Sequence, residues 1–390
     1  MLFTCRYRIV VSVSRVRGRG QVRRGQTLLV ATVAVALGVT PAATAVPDQG
    51  AAAAGSAVRL LGERVVPNNL DFHGTSVGGL SGIDFDTRTG DYVLISDDRS
   101  ERNPARFYTA RFTVDEKGVG PVEFTGTRPL LTAAGAAYAP KSVDPEEIRV
   151  DPWTGDYFWT QEGDRTDTVL ADPSVRIARA DGAFAAELPI PDNERMRPNS
   201  GPRQNMALEG ATFAAGGSLF VTAVEGPLLP DGPLATTTAG ATSRITVQAR
   251  TGQLLAQYAY PMDPVFAESS PLPGTGMNGI TSVLAVDPVD PTKILVLERS
   301  FVAGVGNKIK VYEADLGAAT NILDAPIGTA SPATKRLLVD LSDVGLSAID
   351  NVEGMTWGPR LSSGERTLIL VSDNNFADNQ ITQFIALAVR

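Results

Sequence analysis

Cysteine and histidine are almost absent from this sequence: one of each occurs, Cys5 and His73, in 390 residues. A lone cysteine near the N-terminus excludes an internal disulfide, a thiolate metal site and, once that end is removed, a cysteine nucleophile. A lone histidine excludes zinc held by several imidazoles and a phosphatase built on two histidines, and a Ser-His-Asp triad would have to use His73. No Gly-rich phosphate loop follows a strand. Gly78-Gly79-Leu80-Ser81-Gly82 has the outline of a serine-hydrolase elbow but leads into a strand, not a helix. Aromatic residues make up only 6% of the chain, and Trp153, Trp159 and Trp357 fall in strand or turn patterns suited to packing rather than to a ligand platform. Beyond the first 45 residues there is no sustained helical period.

The N-terminal residues 1–45 hold seven arginines and no acid, then the apolar run 27–37, then Ala43-Thr-Ala45. This order reads as a secretion signal with a small-residue cleavage site, and the apolar run is too short to span a membrane. Arg23-Arg24 leaves both twin-arginine and ordinary export open. Residues 46–56, rich in Ala and Gly, read as a disordered leader, and 57–390 as one folded domain. Loss of the seven arginines leaves 28 basic residues against 43 acidic ones, a net charge of −15 rather than −8. Such a surface disfavours nucleic acid and anionic membrane and favours cations. The expectation is a secreted, extracellular monomer without a membrane span.

What the chain does have is a repeat. Leu80-Ser-Gly-Ile-Asp-Phe-Asp86, Pro145-Glu-Glu-Ile-Arg-Val-Asp151, Leu208-Glu-Gly-Ala-Thr-Phe-Ala214, Thr281-Ser-Val-Leu-Ala-Val-Asp287 and Val352-Glu-Gly-Met-Thr-Trp-Gly358 share one pattern. Each is followed by a turn and a second apolar run ending in an acid. The step is 16 residues from Ser81 to Asp97, Glu146 to Glu162, Glu209 to Glu225 and Ser282 to Glu298, and 20 from Glu353 to Asp373. A fixed period of this kind is the signature of a repeat architecture.

Two further runs with strand-like alternation follow in the units, as at 106–113 and 122–128, 243–250 and 254–260, and 308–313 and 335–340. Thr-Gly-Asp-Tyr at 89–92 and 154–157 predicts tight hairpins. Four antiparallel strands per unit, arranged around an axis, predict an all-β fold, a single β-propeller. The last unit has three clear strands, and the segment 57–66 is expected to supply its fourth and close the ring. This counts five blades, with a sixth hidden in the long connections as the alternative.

First strands of a meander begin on the face where second strands end. The acids therefore converge on one face around the channel, under the long loops. Packing so many like charges raises some pKa values or demands cations, and oxygen donors without His or Cys suit Ca²⁺, then Mg²⁺ or Mn²⁺. Asp97, Glu162, Glu225, Glu298 and Asp373 are the candidate metal ligands. Glu146, Glu209 and Glu353 are the candidate catalytic acids, with His73 either joining them or serving as a hydrogen-bonded structural residue. Arg99, Arg203 and Arg299 are candidate substrate-binding residues. The competing explanation is that Arg99, Arg165 and Arg299 simply neutralise the ring. Arg195, Arg197 and Arg203 share a loop that grips phosphate oxygens or is merely solvated.

The order of five such motifs resembles the phytase-like family, described as having esterase-like activity of phytase. The likeness spans about 58–390. It rests on Val77-Gly-Gly-Leu-Ser-Gly-Ile-Asp84 with Ser96-Asp-Asp98, Asp144-Pro-Glu-Glu-Ile148 with Gln161-Glu-Gly163, and Ala207-Leu-Glu-Gly-Ala211 with Val224-Glu-Gly-Pro227. It continues in Leu295-Val-Leu-Glu-Arg299, and in Asn351-Val-Glu-Gly-Met355 with Val371-Ser-Asp-Asn-Asn375. Glu147 stands where the family usually shows Gly. The resemblance implies a calcium-dependent propeller that hydrolyses a small phosphorylated or ester substrate. A propeller lactonase or carboxyl esterase, and a calcium-stabilised binding propeller without catalysis, are the alternatives.

Overall fold

The structure, a computed structural model, describes residues 57–390; the expected signal, the leader and Cys5 lie outside the described residues. Short strands with β-branched and aromatic enrichment form five four-stranded antiparallel sheets. Blade 1 comprises Leu80–Asp86, Asp91–Ser96, Arg106–Arg111 and Glu123–Pro129; blade 2 Pro145–Val150, Tyr157–Gln161, Ser174–Ala178 and Phe184–Leu188. Blade 3 comprises Leu208–Ala214, Leu219–Val224, Thr242–Ala249 and Leu254–Pro261; blade 4 Gly276–Ala285, Lys293–Val302, Gly306–Asp315 and Thr334–Asp340. Blade 5 takes Asn351–Trp357, Arg366–Asp373 and Thr382–Val389 from the C-terminal end and Val58–Val66 from the N-terminal end. The first strands touch one another in a closed cycle, so the fold is a five-bladed propeller, as the repeat predicts.

Closure is continuous. Val58 pairs with Val389 and Val66 with Thr382, and the Arg390 amide donates to the Ala57 carbonyl at 3.0 Å. Both termini of the propeller are thereby tied into one ladder, and two sheet edges become one interior pair. Deleting residues 57–66 should strip the outer strand from blade 5 and bare its ladder. The expected result, read by size-exclusion chromatography and thermal melting, is an aggregating or strongly destabilised chain rather than a propeller with a modestly lower Tm.

The apolar core lies between blades, one cluster per junction. Ile95 and Phe107 of blade 1 meet Ile148 and Trp159 of blade 2, while Phe158 and Val175 of blade 2 face Ala211 and Phe220 of blade 3. Val221 meets Val283, Leu297 meets Met355, and Ile369 and Phe384 meet Leu94 and Tyr108 at the other three junctions. Each such fully buried side chain contributes about 1.5–3 kcal/mol. The hairpins at Gly90 and Gly155 close through left-handed glycines (φ 78° and 80°) whose amides donate to Asp86 and Asp151. Of the tryptophans, Trp159 is core, Trp357 bonds the Ala285 carbonyl of the preceding blade, and Trp153 is 60% exposed under Arg250.

Candidate functional site

Every first strand carries a β-bulge at the same place. The register slips between Leu80 and Gly82, Pro145 and Ile148, Leu208 and Gly210, Ile280 and Ser282, and Val352 and Gly354. A bulge adds one residue and re-aims its side chain. The bulged residues are Ser81, Glu146, Glu209, Thr281 and Glu353. The next position is glycine in blades 1, 3 and 5 because the inner strands crowd there. A Cβ on Gly82, Gly210 or Gly354 would come within 2.9 Å of the neighbouring blade's backbone. On the second strands, the matching positions lie one residue past the partner of the residue that precedes the bulge: Asp97, Glu162, Glu225, Arg299 and Asp373.

These two sets form one ring, buried except at the half-buried Asp97 and Arg299. Oxygens of Asp144, Glu146 and Glu162 lie within 4.8 Å of one another, as do those of Glu162, Glu209 and Glu225, so two acidic triads share Glu162. Glu162 accepts the Ala207 amide at 2.5 Å. Arg299 then bridges Glu225 (2.9 Å) to Glu353 (3.2 Å), and Asn351 bridges Glu353 (3.0 Å) to Asp373 (3.3 Å). From the rim, Arg99 reaches Asp144 at 3.4 Å and Asp164 at 3.6 Å. Among the described residues, Asp144, Glu146, Glu162, Glu209, Glu225, Glu353, Asp97 and Asp373 thus form direct ion pairs with only two guanidinium groups, Arg99 and Arg299, while Arg106 acts on Asp97 from farther away. The Glu225 Oε2 is buried without a hydrogen-bond partner, as are Nε of Arg99 and of Arg299.

Burial, reinforced by neighbouring carboxylates, pushes Asp97 up to about 8 and Asp144 to about 7. It raises Glu225 to about 7 against the pull of Arg299, and lifts Glu146, Glu162, Glu209 and Asp373 well above the carboxylate range. An all-oxygen donor set with an unpaired buried carboxylate oxygen is what a divalent cation needs, so these residues fit a metal ion. The shifts also set the stability of the metal-free protein. A carboxyl whose folded pKa is raised contributes stability below its unfolded value near 4, and that contribution is lost as pH rises through about 7–8. With EDTA, Tm should fall between pH 5 and 8. Saturating Ca²⁺ should flatten that fall, and a metal-free Tm that holds or rises with pH would contradict the ring electrostatics.

The structure moves several expected residues. Glu298 is not in the ring. Its neighbour on the strand takes that place, because the bulge sits at Thr281 rather than Ser282 and the turn of blade 4 is two residues longer than those of blades 1 to 3. Successive side chains point to opposite faces. Glu298 is therefore turned between blades, bonding Lys335 (2.5 Å), the Tyr260 hydroxyl (2.8 Å), Asn278 (2.9 Å) and the Asp263 amide (2.9 Å). Blade 4 thus supplies Arg299 where the other blades supply an acid. His73 is exposed at the tip of the hairpin joining Leu70–Phe72 to Thr75–Val77, edge-on to Phe72; no ring residue bonds it. Arg165 donates to three carbonyls of the loop at 197–202 and so does not neutralise the ring, and Arg203, a candidate substrate-binding residue, donates to the Gly232 carbonyl at 2.6 Å. Arg195 and Arg197 pair with Asp172 and Asp192.

One functional element escapes the motif reading. Below the ring, Arg149 lies across the channel and binds every blade. Its guanidinium donates to the carbonyls of Ile83 (2.8 Å), Ala211 (2.6 Å), Val283 (3.2 Å) and Met355 (2.9 Å), and to Glu147 of its own blade (2.6 Å). Glu147, at the position that is glycine in three other blades, also accepts the Ser282 hydroxyl at 2.6 Å. The pair forms a floor beneath the acids. On its other side, a cavity of about 330 Å³ opens between Asp84, Arg149 and Trp357.

Comparison with known proteins adds a family and little else. No curated protein matches the sequence. Among solved structures, a gluconolactonase from Xanthomonas campestris is 13% identical, over 84% of this chain and 91% of its own, with a TM-score of 0.34. A glucose dehydrogenase is 12% identical, over 84% and 99%, with a TM-score of 0.37. At such scores neither likeness bears on reaction or substrate. A family model described as "Phytase-like: Esterase-like activity of phytase" matches residues 75–376. With most of the propeller and all five inner strands inside that match, the chain belongs to the phytase-like family.

Proposed function

We propose that this protein is an exported hydrolase of phosphate monoesters that works with a divalent cation, Ca²⁺ in preference to Mg²⁺ or Mn²⁺, in the acidic ring. The observation that carries the reading is the pair of buried triads joined at Glu162, with eight carboxyl groups set against two arginines. Asp144, Glu146, Glu162, Glu209 and Glu225 would hold the cation. Their number favours the larger ion, which accepts six to eight oxygens. When bound, the cation offsets the charge that develops on the phosphoryl oxygens and lowers the pKa of water.

The chain's own residues do the rest. The acids of both triads are buried, which limits access of bulk water. Arg299, fixed between Glu225 and Glu353, and Arg99 at the rim supply positive charge facing an anionic substrate. In the reaction a water oxygen bonds to phosphorus while the bond from phosphorus to the alcohol oxygen breaks. The water proton leaves, and the departing alkoxide takes up one proton, giving phosphate and an alcohol. Asp97, Glu353 and Asp373, outside the two triads, are the carboxyls left to exchange those protons. Export rests on the composition of residues 1–45.

The test is turnover by the mature protein of phosphorylated polyols, aryl phosphates, aryl esters and lactones, each with EDTA and with added Ca²⁺. Phosphatase activity that EDTA removes and Ca²⁺ restores supports the proposal. Turnover of carbonyl esters or lactones alone makes the protein an esterase instead, and Ca²⁺ binding without turnover of any substrate makes it a binding propeller.

A further inference from the structure

Between blades 4 and 5, on the face that carries the ring, a cavity of about 580 Å³ opens beside Arg299 and Asn351. Its lining differs from the ring in kind. Asn375 and Asn379, from the loop after the second strand of blade 5, are exposed, and no hydrogen bond among the described residues engages their side-chain amides. Across from them, the Asn307 side-chain oxygen is buried without a partner. Phe301, 38% exposed, lines the same space and packs against no other ring. The one cation in the lining, Arg299, is already held by Glu225, Glu353 and Asn351. The one acid, Asp350, accepts the amides of Asn351 and Ile381.

We infer that this cavity receives the uncharged, hydroxyl-rich part of the substrate, a sugar or similar polyol. The class follows from the lining. An amide both donates and accepts, as a hydroxyl does, so Asn307, Asn375 and Asn379 can exchange hydrogen bonds with vicinal hydroxyls in either sense. An exposed aromatic ring among such amides suits the C–H face of a sugar, which buries apolar area while its hydroxyls point outward to the amides. The lining also argues against a ring carrying many phosphates. No free lysine or arginine stands in the cavity to receive them, and the neighbouring wall is the carboxylate ring. Arg299 and Asn351 belong to both sites, so a group seated here has its end at the ring. The substrate class is accordingly a singly phosphorylated sugar or polyol. The reaction rests on the hydrolase proposed above, whereas the polyol site does not.

Two measurements separate them. Saturation-transfer NMR with free glucose on the calcium-loaded mature protein should show binding that Phe301→Ala abolishes. Steady-state kinetics should then compare glucose 6-phosphate, ethyl phosphate and inositol hexakisphosphate. Phe301→Ala and Asn307→Leu are expected to raise KM for glucose 6-phosphate about tenfold and to leave ethyl phosphate within about twofold. Inositol hexakisphosphate should be the poorest of the phosphorylated rings. If glucose binds through Phe301 but no phosphate is turned over, the polyol site stands and the hydrolase falls. If phosphates are turned over while both variants keep the wild-type KM for glucose 6-phosphate, or if the hexakisphosphate is preferred, the polyol site is refuted.

Discussion

Arg149→Met should destabilise the propeller by about 3–5 kcal/mol, the usual cost of removing one partner from a buried ion pair. The substitution leaves the Glu147 carboxyl, which burial already pushes up to about 8, without its cation. It also strands carbonyls of four other blades that now share one guanidinium. Denaturant unfolding of the metal-loaded protein gives the comparison. The double variant Arg149→Met with Glu147→Leu should be more stable than Arg149→Met alone, because no buried charge is left unpaired. If the single variant unfolds at the wild-type midpoint, the floor is incidental to the fold.

Glu162→Gln should remove both cation affinity and hydrolysis. Glu162 is the member common to the two triads, so its charge counts twice. The amide keeps the shape and an acceptor for the Ala207 amide, so the fold should persist. Saturating Ca²⁺ at about a thousand times its Kd adds about 4 kcal/mol to the wild-type protein. Most of that increment should vanish in Glu162→Gln, and Glu209→Gln should behave alike. Glu313→Gln, on the third strand of blade 4 and paired with Arg336, should change neither property.

Blade number, closing strand and the face bearing the acids were legible because strand alternation and turn residues are local signals that repeat. The closing strand was readable as the piece missing from blade 5. Other features depend on contacts that a linear pattern does not carry. Arg149 sits between Ile148 and Val150 and reads as the outward polar residue of a half-buried strand. In a closed ring that polar side faces the channel, where it meets four other first strands. Arg299 was hidden by the regular step of 16 residues, which fits Ser282 and Glu298 by count. The longer turn and the bulge at Thr281 shift the true pair by one residue on each side. Asp144 stands two residues before Glu146, so its place beside the ring is a local signal; its closeness to Glu162 as well comes only with the folded chain.

The central claim is that the ring holds a divalent cation, and calorimetric titration of Ca²⁺ into chelator-treated, dialysed protein tests it most directly. Wild-type protein is predicted to bind stoichiometrically, and Glu162→Gln to bind at least about tenfold more weakly. Absence of binding to the wild type, or equal affinity in the two proteins, would contradict the account.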